Sequence, residues 1–363
     1  MTTKERICTA LMGQMPDRVP FTIYRGIVSA EEGLDDLIAR GMGFMTSCHV
    51  HNVRHPNVEI SQEDEVLDGI PTRVVRYETP VGEIRQRSRT EPGYGSSWTM
   101  EHFVKDVKDY EVLEFIIRDA EYSPDYDAYE KSEESLGDTG VVMVWLERVP
   151  IQRLWIQYTG IERLTIDLYD NPSVVEGVME AMMDESREIW NIVADSPAQF
   201  IWCPDNITGV ITGPPLFDNY CIPYYREVAG VMHKKGKRVM CHMDGMIGRL
   251  ANSVRRTDLD IIEAFTPPPD GDLPLAKARK AWQDKVISIN FPSSVHIADP
   301  EMIRDITLQL LREAAPGNGF IIGVTENVPK SVGTRSLSVI ADTISKYGTC
   351  PIPINLSKEP VWN

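Results

Sequence analysis

The sequence has no apolar stretch close to the roughly 20 residues that a membrane-spanning helix needs. Its first residues, MTTKERICTALMG, are amphipathic and mixed in charge, without the apolar core of a signal peptide. A cytoplasmic protein is expected. Positive charge is also scarce: 37 Lys and Arg against 54 Asp and Glu leave a net charge of -17. Sequence-independent nucleic-acid binding and docking on anionic lipid both need a basic face, so no nucleic-acid and no membrane partner is expected. Cysteine is sparse and scattered, at Cys8, Cys48, Cys203, Cys221, Cys241 and Cys350, with no CxxC pair. That pattern argues against a disulfide framework, so a functional cysteine has to be picked out by position. There is no GxGxxG fingerprint, no Walker A loop, no HExxH and no GxSxG, which removes the common dinucleotide, P-loop, zincin and serine-hydrolase readings. No repeat period or low-complexity segment is present.

What is present is a chain of 363 residues, 42% hydrophobic and 25% charged, a size that suits two domains or one large α/β barrel. Short apolar runs that end abruptly in polar residues recur along it. Eight of them read as core strands, at 19–24, 43–49, 140–146, 199–203, 238–241, 259–264, 286–290 and 319–324, most followed by an amphipathic helical segment. Between the second and third, residues 58–103 alternate and are rich in Val, Thr, Arg and Tyr, as antiparallel strands do. An acidic stretch, 122–138, reads as an exposed helix. The expected fold is a (β/α)8 TIM barrel with an inserted antiparallel β hairpin or meander near residues 58–103, the whole chain 1–363 forming a single domain.

Chemistry on such a barrel sits at the carboxyl ends of the strands. The segment Gln199 to Gly245 gives a strand ending in Pro204-Asp205-Asn206, a helix after Cys221, and a strand ending in His242-Met243-Asp244. Glu326 follows the last strand at the same rim. A lone histidine is commonly a bonded loop residue and a lone cysteine a core residue. Together, however, Cys221, His242 and Glu326 offer the S, N and O donors of a zinc site, with Asp205, Asn206 and Asp244 to orient ligands or substrate. Tyr24, Arg25, Trp145, Glu147, Trp202 and Phe265 fall at strand ends and are expected to line the substrate pocket. His49, His51 and His55 cluster after the second strand, where a substrate loop or solvated turn is the plain reading.

The segments TTKERICTALMGQMPDRVPF, GPPLFDNYCIPYYREVAGVMHKKGKRVMCHMDG and GFIIGVTENVP resemble the uroporphyrinogen decarboxylase-like superfamily, and the order of elements agrees over nearly the whole chain. The resemblance implies a (β/α)8 barrel. The decarboxylases of the superfamily carry an arginine-rich loop after the first strand. Here the loop reads IYRGIVSAEE, with Arg25 alone, too little cation for a porphyrinogen with eight carboxylates. The methylcobamide:thiol methyltransferases bind zinc through HxC and a later Cys. Here those positions are His242-Met243-Asp244 and Glu326. The substrate-demethylating methyltransferases of O-demethylase systems carry a motif resembling E-x14-E-x20-H, whose spacing is matched by Asn206, Cys221 and His242 with both glutamates replaced.

The resemblance therefore implies a zinc-dependent methyltransferase that moves a methyl group from a small methylated substrate, a methoxylated aromatic, to the Co(I) corrinoid of a separate protein. The corrinoid (cobalamin) signature DxHxxG is absent from this chain, so a partner has to supply that cofactor. A homodimer is compatible with the reading. Two alternatives stand beside it. One is a metal-free decarboxylase of a smaller carboxylic acid, with Asp205, Asp244 or Glu326 as proton donor and Arg25, Arg148 or Lys330 as anchor. The other is a barrel without catalysis that serves as a binding subunit.

Overall fold

A computed structural model of the chain describes residues 1–27, 33–90 and 97–353. Its strands, in chain order, are β1 (Phe21–Tyr24), β2 (Met42–Cys48), β3 (His51–Arg54), β4 (Glu59–Leu67), β5 (Ile70–Thr79), β6 (Gly82–Thr90) and β7 (Ser97–Glu101). There follow β8 (Glu121–Pro124), β9 (Gly140–Trp145), β10 (Phe200–Cys203), β11 (Arg238–His242), β12 (Ile261–Phe265), β13 (Val286–Asn290) and β14 (Phe320–Val324). The chain divides into two compact units. One holds Met1–Val50, Tyr126–Trp145 and the residues from Ser196 on; the other holds His51–Asp125 and Leu146–Asp195.

The first unit is a closed parallel barrel in the order β1-β14-β13-β12-β11-β10-β9-β2, every neighbouring pair parallel. Each strand lies within two residues of the bounds expected from sequence. The reason is physical. Strands of a parallel barrel are covered on both faces, so they read as short continuous apolar runs. β12, β13 and β14 are buried at every residue. The helix Thr3–Leu11 starts on a capping box, Thr2 accepting from the Glu5 amide while the Glu5 carboxylate accepts from the Thr2 amide. Its buried Ile7, Ala10 and Leu11 join Val141, Phe200, Ile261, Val286 and Ile321 in one interior cluster. Those five residues stand at or next to the first residues of their strands. The helix therefore closes the amino-terminal end of the barrel, and the polar side chains collect at the other end.

The second unit contains the expected insertion as a four-stranded antiparallel sheet, β4-β5-β6-β7. Its first hairpin turns on Asp68-Gly69, both at positive φ (54° and 77°), between the paired Leu67 and Ile70. That two-residue loop suits the twist of a hairpin, and Asp-Gly is the residue pair it favours. Within 122–138 the expected helix is shorter. Glu121–Pro124 forms strand β8, paired antiparallel with β3, and the helix runs Asp127–Leu136. The acidity of this stretch hides a strand of ordinary composition at its start. Among the described residues no helix is long and apolar enough to cross a membrane.

Candidate active site

Alternation along the strands decides which side chains enter the barrel. Phe200 and Trp202 of β10, Val141 and Met143 of β9, and Met240 of β11 all belong to the interior cluster, with Trp145 and Tyr24 packed against it. His242 follows Met240 by two residues, and Glu263 follows Ile261 by two, so both side chains point inward. They meet there: His242 Nδ1 lies 2.9 Å from Glu263 Oε2. The Trp202 indole N–H donates to the same oxygen at 3.0 Å, and the Tyr24 hydroxyl donates to Glu263 Oε1 at 2.7 Å. The Tyr24 hydroxyl is also 3.3 Å from His242 Nδ1. Glu263 is completely buried, and three partners satisfy its carboxylate. Aromatic rings frame the pair. Trp202 meets Trp145 edge-on at 5.0 Å, Tyr24 meets Trp202 edge-on at 5.8 Å, and His49 lies 5.5 Å from Trp145.

The remaining nitrogen of His242 faces the rim, where Nε2 is 3.5 Å from Asp244 Oδ2. Burial alone would lower the imidazole pKa, but the carboxylates of Glu263 and Asp244 outweigh it and push it up to about 10. The ring is an imidazolium at neutral pH, clamped at Nδ1 by a buried carboxylate and presenting Nε2–H toward the open end. Burial, and then Glu263, raises the Tyr24 phenol well above its ordinary value, so it stays a hydrogen-bond donor.

β12 owes this placement to an irregularity. Ala264 has φ +55°, in the left-handed region, and the pairing of β12 with β13 shifts register between Ile262 and Phe265. A non-glycine residue there costs about 1–2 kcal/mol. The kink breaks alternation after Glu263, and Phe265 packs edge-on against Trp282, at the end of the helix Leu275–Ala281. Phe265, expected in the pocket, is a core residue outside the ring that surrounds His242.

The other expected site residues fall in several places. Tyr24, Trp145, Trp202, His242 and Asp244 come together as described. Asp205 is fully buried and accepts from the Tyr225 hydroxyl at 2.7 Å, beside Cys241, whose Sγ is 3.4 Å from the same hydroxyl. Cys241 and Cys203 are register partners on β11 and β10, on the opposite strand face from His242 and Trp202. Asn206 is exposed. Arg25 is exposed and donates to the Ser135 hydroxyl at 3.2 Å; residues 28–32 of the loop that contains it lie outside the described residues. Glu147 belongs to the second unit, where it lies 3.6 Å from Arg153.

The expected zinc donors do not fit a metal centre. Cys221 is completely buried, and burial followed by the charge of Asp205 raises its thiol well above the ordinary value. His242 is held at Nδ1 by Glu263, an arrangement that by itself would suit a metal ligand at Nε2, but among the described residues the only carboxylate near that nitrogen is Asp244. Glu326 is exposed and accepts from the Ser293 hydroxyl at 2.7 Å. Among the described residues no three His, Cys, Asp or Glu side chains are grouped so as to hold a metal ion. The residue that sequence reasoning missed is Glu263, and its signal was a lone carboxylate inside the apolar run IIEAF.

A parallel eight-stranded barrel with an imidazolium–carboxylate pair at the carboxyl end of its strands has the build of a (β/α)8 enzyme. The chain belongs to the uroporphyrinogen decarboxylase family, whose model matches residues 155–347. No curated protein matches the sequence. Among solved structures, a methyltransferase from Methanosarcina mazei is similar over 96% of this chain and 99% of that one, with TM-score 0.61 and 10% identity. A glycoside hydrolase family 5 enzyme from Prevotella bryantii B14 aligns over 95% of this chain and 99% of its own, with TM-score 0.43 and 9% identity. At such identities the first likeness is one of fold, and the second carries no argument.

Proposed function

We propose that this protein is a methyltransferase in which His242 is the general acid for the departing oxygen of a methoxylated aromatic substrate. The methyl acceptor is the Co(I) corrinoid of a separate protein. The reading is carried by one observation, the inward His242–Glu263 pair whose Nε2–H lies at the rim beside Asp244. Demethylating an aryl ether breaks the bond between methyl carbon and oxygen. The methyl carbon passes to the acceptor, and the oxygen keeps the bonding electrons. The obstacle is the leaving phenoxide, which is basic. An imidazolium whose pKa is pushed up to about 10 lies in the range of a phenol, so it can give its proton to the departing oxygen as the bond breaks. The pair fills the role that the sequence alone suggests for a Lewis-acidic zinc.

Glu263 holds the ring in one orientation and keeps a proton on Nδ1 once Nε2 has given its own away. Tyr24 and Trp202 hold Glu263, and Asp244, half-buried at the rim, lies where it relays a proton from solvent back to Nε2. Trp145 and Trp202 offer edges and faces to an aromatic ring. Purified protein, a Co(I) corrinoid protein and a panel of methoxybenzenes test the reading. Methyl-Co(III) absorbance should appear and fall at least 100-fold in rate with His242→Ala, in the usual range for a general acid. No methyl-Co(III) with any donor sinks it.

Family membership favours a second reading, a carboxy-lyase acting on a small acid. In that reaction the same Nε2–H protonates the carbanion left when carbon dioxide departs. Carbon dioxide release from candidate acids without any corrinoid protein would select it over methyl transfer.

A further inference from the structure

The inner face of the barrel carries a second polar group that the His242 pair does not use. Ser288 and Asn290 follow Val286 of β13 at two-residue steps, and Val286 belongs to the interior cluster, so both point inward. Each is 1% exposed. Asn290 Oδ1 accepts from the Thr325 amide at 3.0 Å, which fixes the orientation of its carboxamide. Its NH2 group has no partner, and neither has the Ser288 hydroxyl nor the Thr325 hydroxyl, all three atoms buried. Thr325 continues the inward parity of Ile321 and Gly323. Asn290 is the register partner of Gly323 across β13 and β14, and Gly323 is in turn the partner of Thr22 on β1. A Cβ at Gly323 would lie 3.3 Å from Thr22 Oγ1 and 3.8 Å from Ser288 Oγ, so both hydroxyls border the glycine on the inner face. Buried donors without partners cost roughly 1–3 kcal/mol each, so a cluster of them on adjacent strands marks a place where something binds.

We infer that Asn290, with Ser288 two residues before it on the same strand, forms a subsite for a neutral carbonyl oxygen of the substrate, which deepens the reading of this end of the barrel as the substrate site and rests on it. The donor inventory selects an acceptor. Asn290 already uses its carboxamide oxygen on the Thr325 amide and has its NH2 group to give, and the Ser288 hydroxyl adds a donor from the same face of the same strand. The charge of the neighbourhood selects neutrality. Ile262 of β12 pairs with Ile287 of β13, so Glu263 and Ser288 are neighbours on the inner face. Glu263 already claims the charge of His242, so a bound carboxylate at this subsite would be met by neutral donors alone. The substrate class is therefore an aromatic compound bearing an amide, ketone or aldehyde group.

Titration calorimetry with benzamide, benzoate and toluene tests the assignment on the full chain. None of the three carries a methoxy group. A failure of methyl transfer therefore leaves the binding result standing, and a failure of binding leaves methyl transfer standing. Wild type should bind benzamide at least tenfold more tightly than toluene and more tightly than benzoate. Asn290→Leu should reduce benzamide to the toluene level while toluene binding is kept. Ser288→Ala removes a hydroxyl with no partner in the fold, and should cut the benzamide preference at least threefold even where the Asn290 variant does not fold. Equal affinity for benzamide and toluene, tighter binding of benzoate, or no binding of any probe would overturn the assignment. A preference that survives Ser288→Ala unchanged would overturn it too.

Discussion

Replacing Glu263 by Gln keeps the shape of the side chain and removes its charge, which isolates what the carboxylate does to His242. In the wild type, desolvation pushes the imidazole pKa down, and the carboxylates of Glu263 and Asp244 push it up further, from 6.5 to about 10. A rise of that size corresponds to a preference for the charged ring on the order of 5 kcal/mol. In Glu263→Gln the burial remains and Asp244 alone opposes it, so the pKa should fall well below its wild-type value. The sign for stability follows. A pKa raised on folding stabilises fully below the unfolded value of about 6.5, and that stabilisation is lost as pH rises through about 10. Histidine Cε1 proton resonances followed by NMR between pH 5 and 11 read the titration directly, with His242→Ala to assign the signal among seven histidines. The wild-type resonance should stay at its imidazolium position past neutrality, and that of Glu263→Gln should move below it. Denaturant midpoints at pH 6 and pH 10 should converge between the two proteins as the pH rises. A wild-type His242 that titrates near 6.5, or a variant with an unchanged titration, would refute the electrostatic account and with it the general-acid role.

Tyr24→Phe removes a 2.7 Å hydrogen bond to the buried carboxylate, and should cost about 1.5–3 kcal/mol in urea unfolding. In the second unit, Arg153 is buried against Glu185 with Glu147 at 3.6 Å. Arg153→Met should cost about 3–5 kcal/mol by stranding Glu185, and Arg153→Met with Glu185→Leu should recover most of it, measured by thermal melts. Metal analysis of purified wild type and His242→Ala should give no stoichiometric zinc in either, since Cys221 and Glu326 are not gathered with His242. One zinc per chain, lost in the variant, would restore the metal reading.

The barrel was legible because burial on both faces of a parallel strand writes itself as a short apolar run. His242, Tyr24, Trp145 and Trp202 were legible because each stands where such a run ends. The sequence conceals which face a side chain takes once alternation fails. Residues 261, 263 and 265 share parity, so strict alternation puts Phe265 inside with Glu263. The left-handed turn at Ala264 reverses this, and an alanine gives no warning of a positive φ as a glycine would. Spacing misleads in a related way. Asn206, Cys221 and His242 reproduce a motif's intervals, yet Cys221 is buried with a neutral thiol, Asn206 is exposed, and only His242 reaches the barrel interior.

Glu263 was hidden for a different reason. A carboxylate in an apolar strand is costly unless its partners are known, and those partners, on β1, β10 and β11, lie between 21 and 239 residues away in sequence. The same arrangement explains why the kink is kept. Straight pairing through Ala264 would return Phe265 to the inner face, directly after Glu263, where its ring would compete with Tyr24 and Trp202 for the space around the carboxylate. A strain of about 1–2 kcal/mol at Ala264 is small beside the several kcal/mol that an unpartnered buried carboxylate would cost.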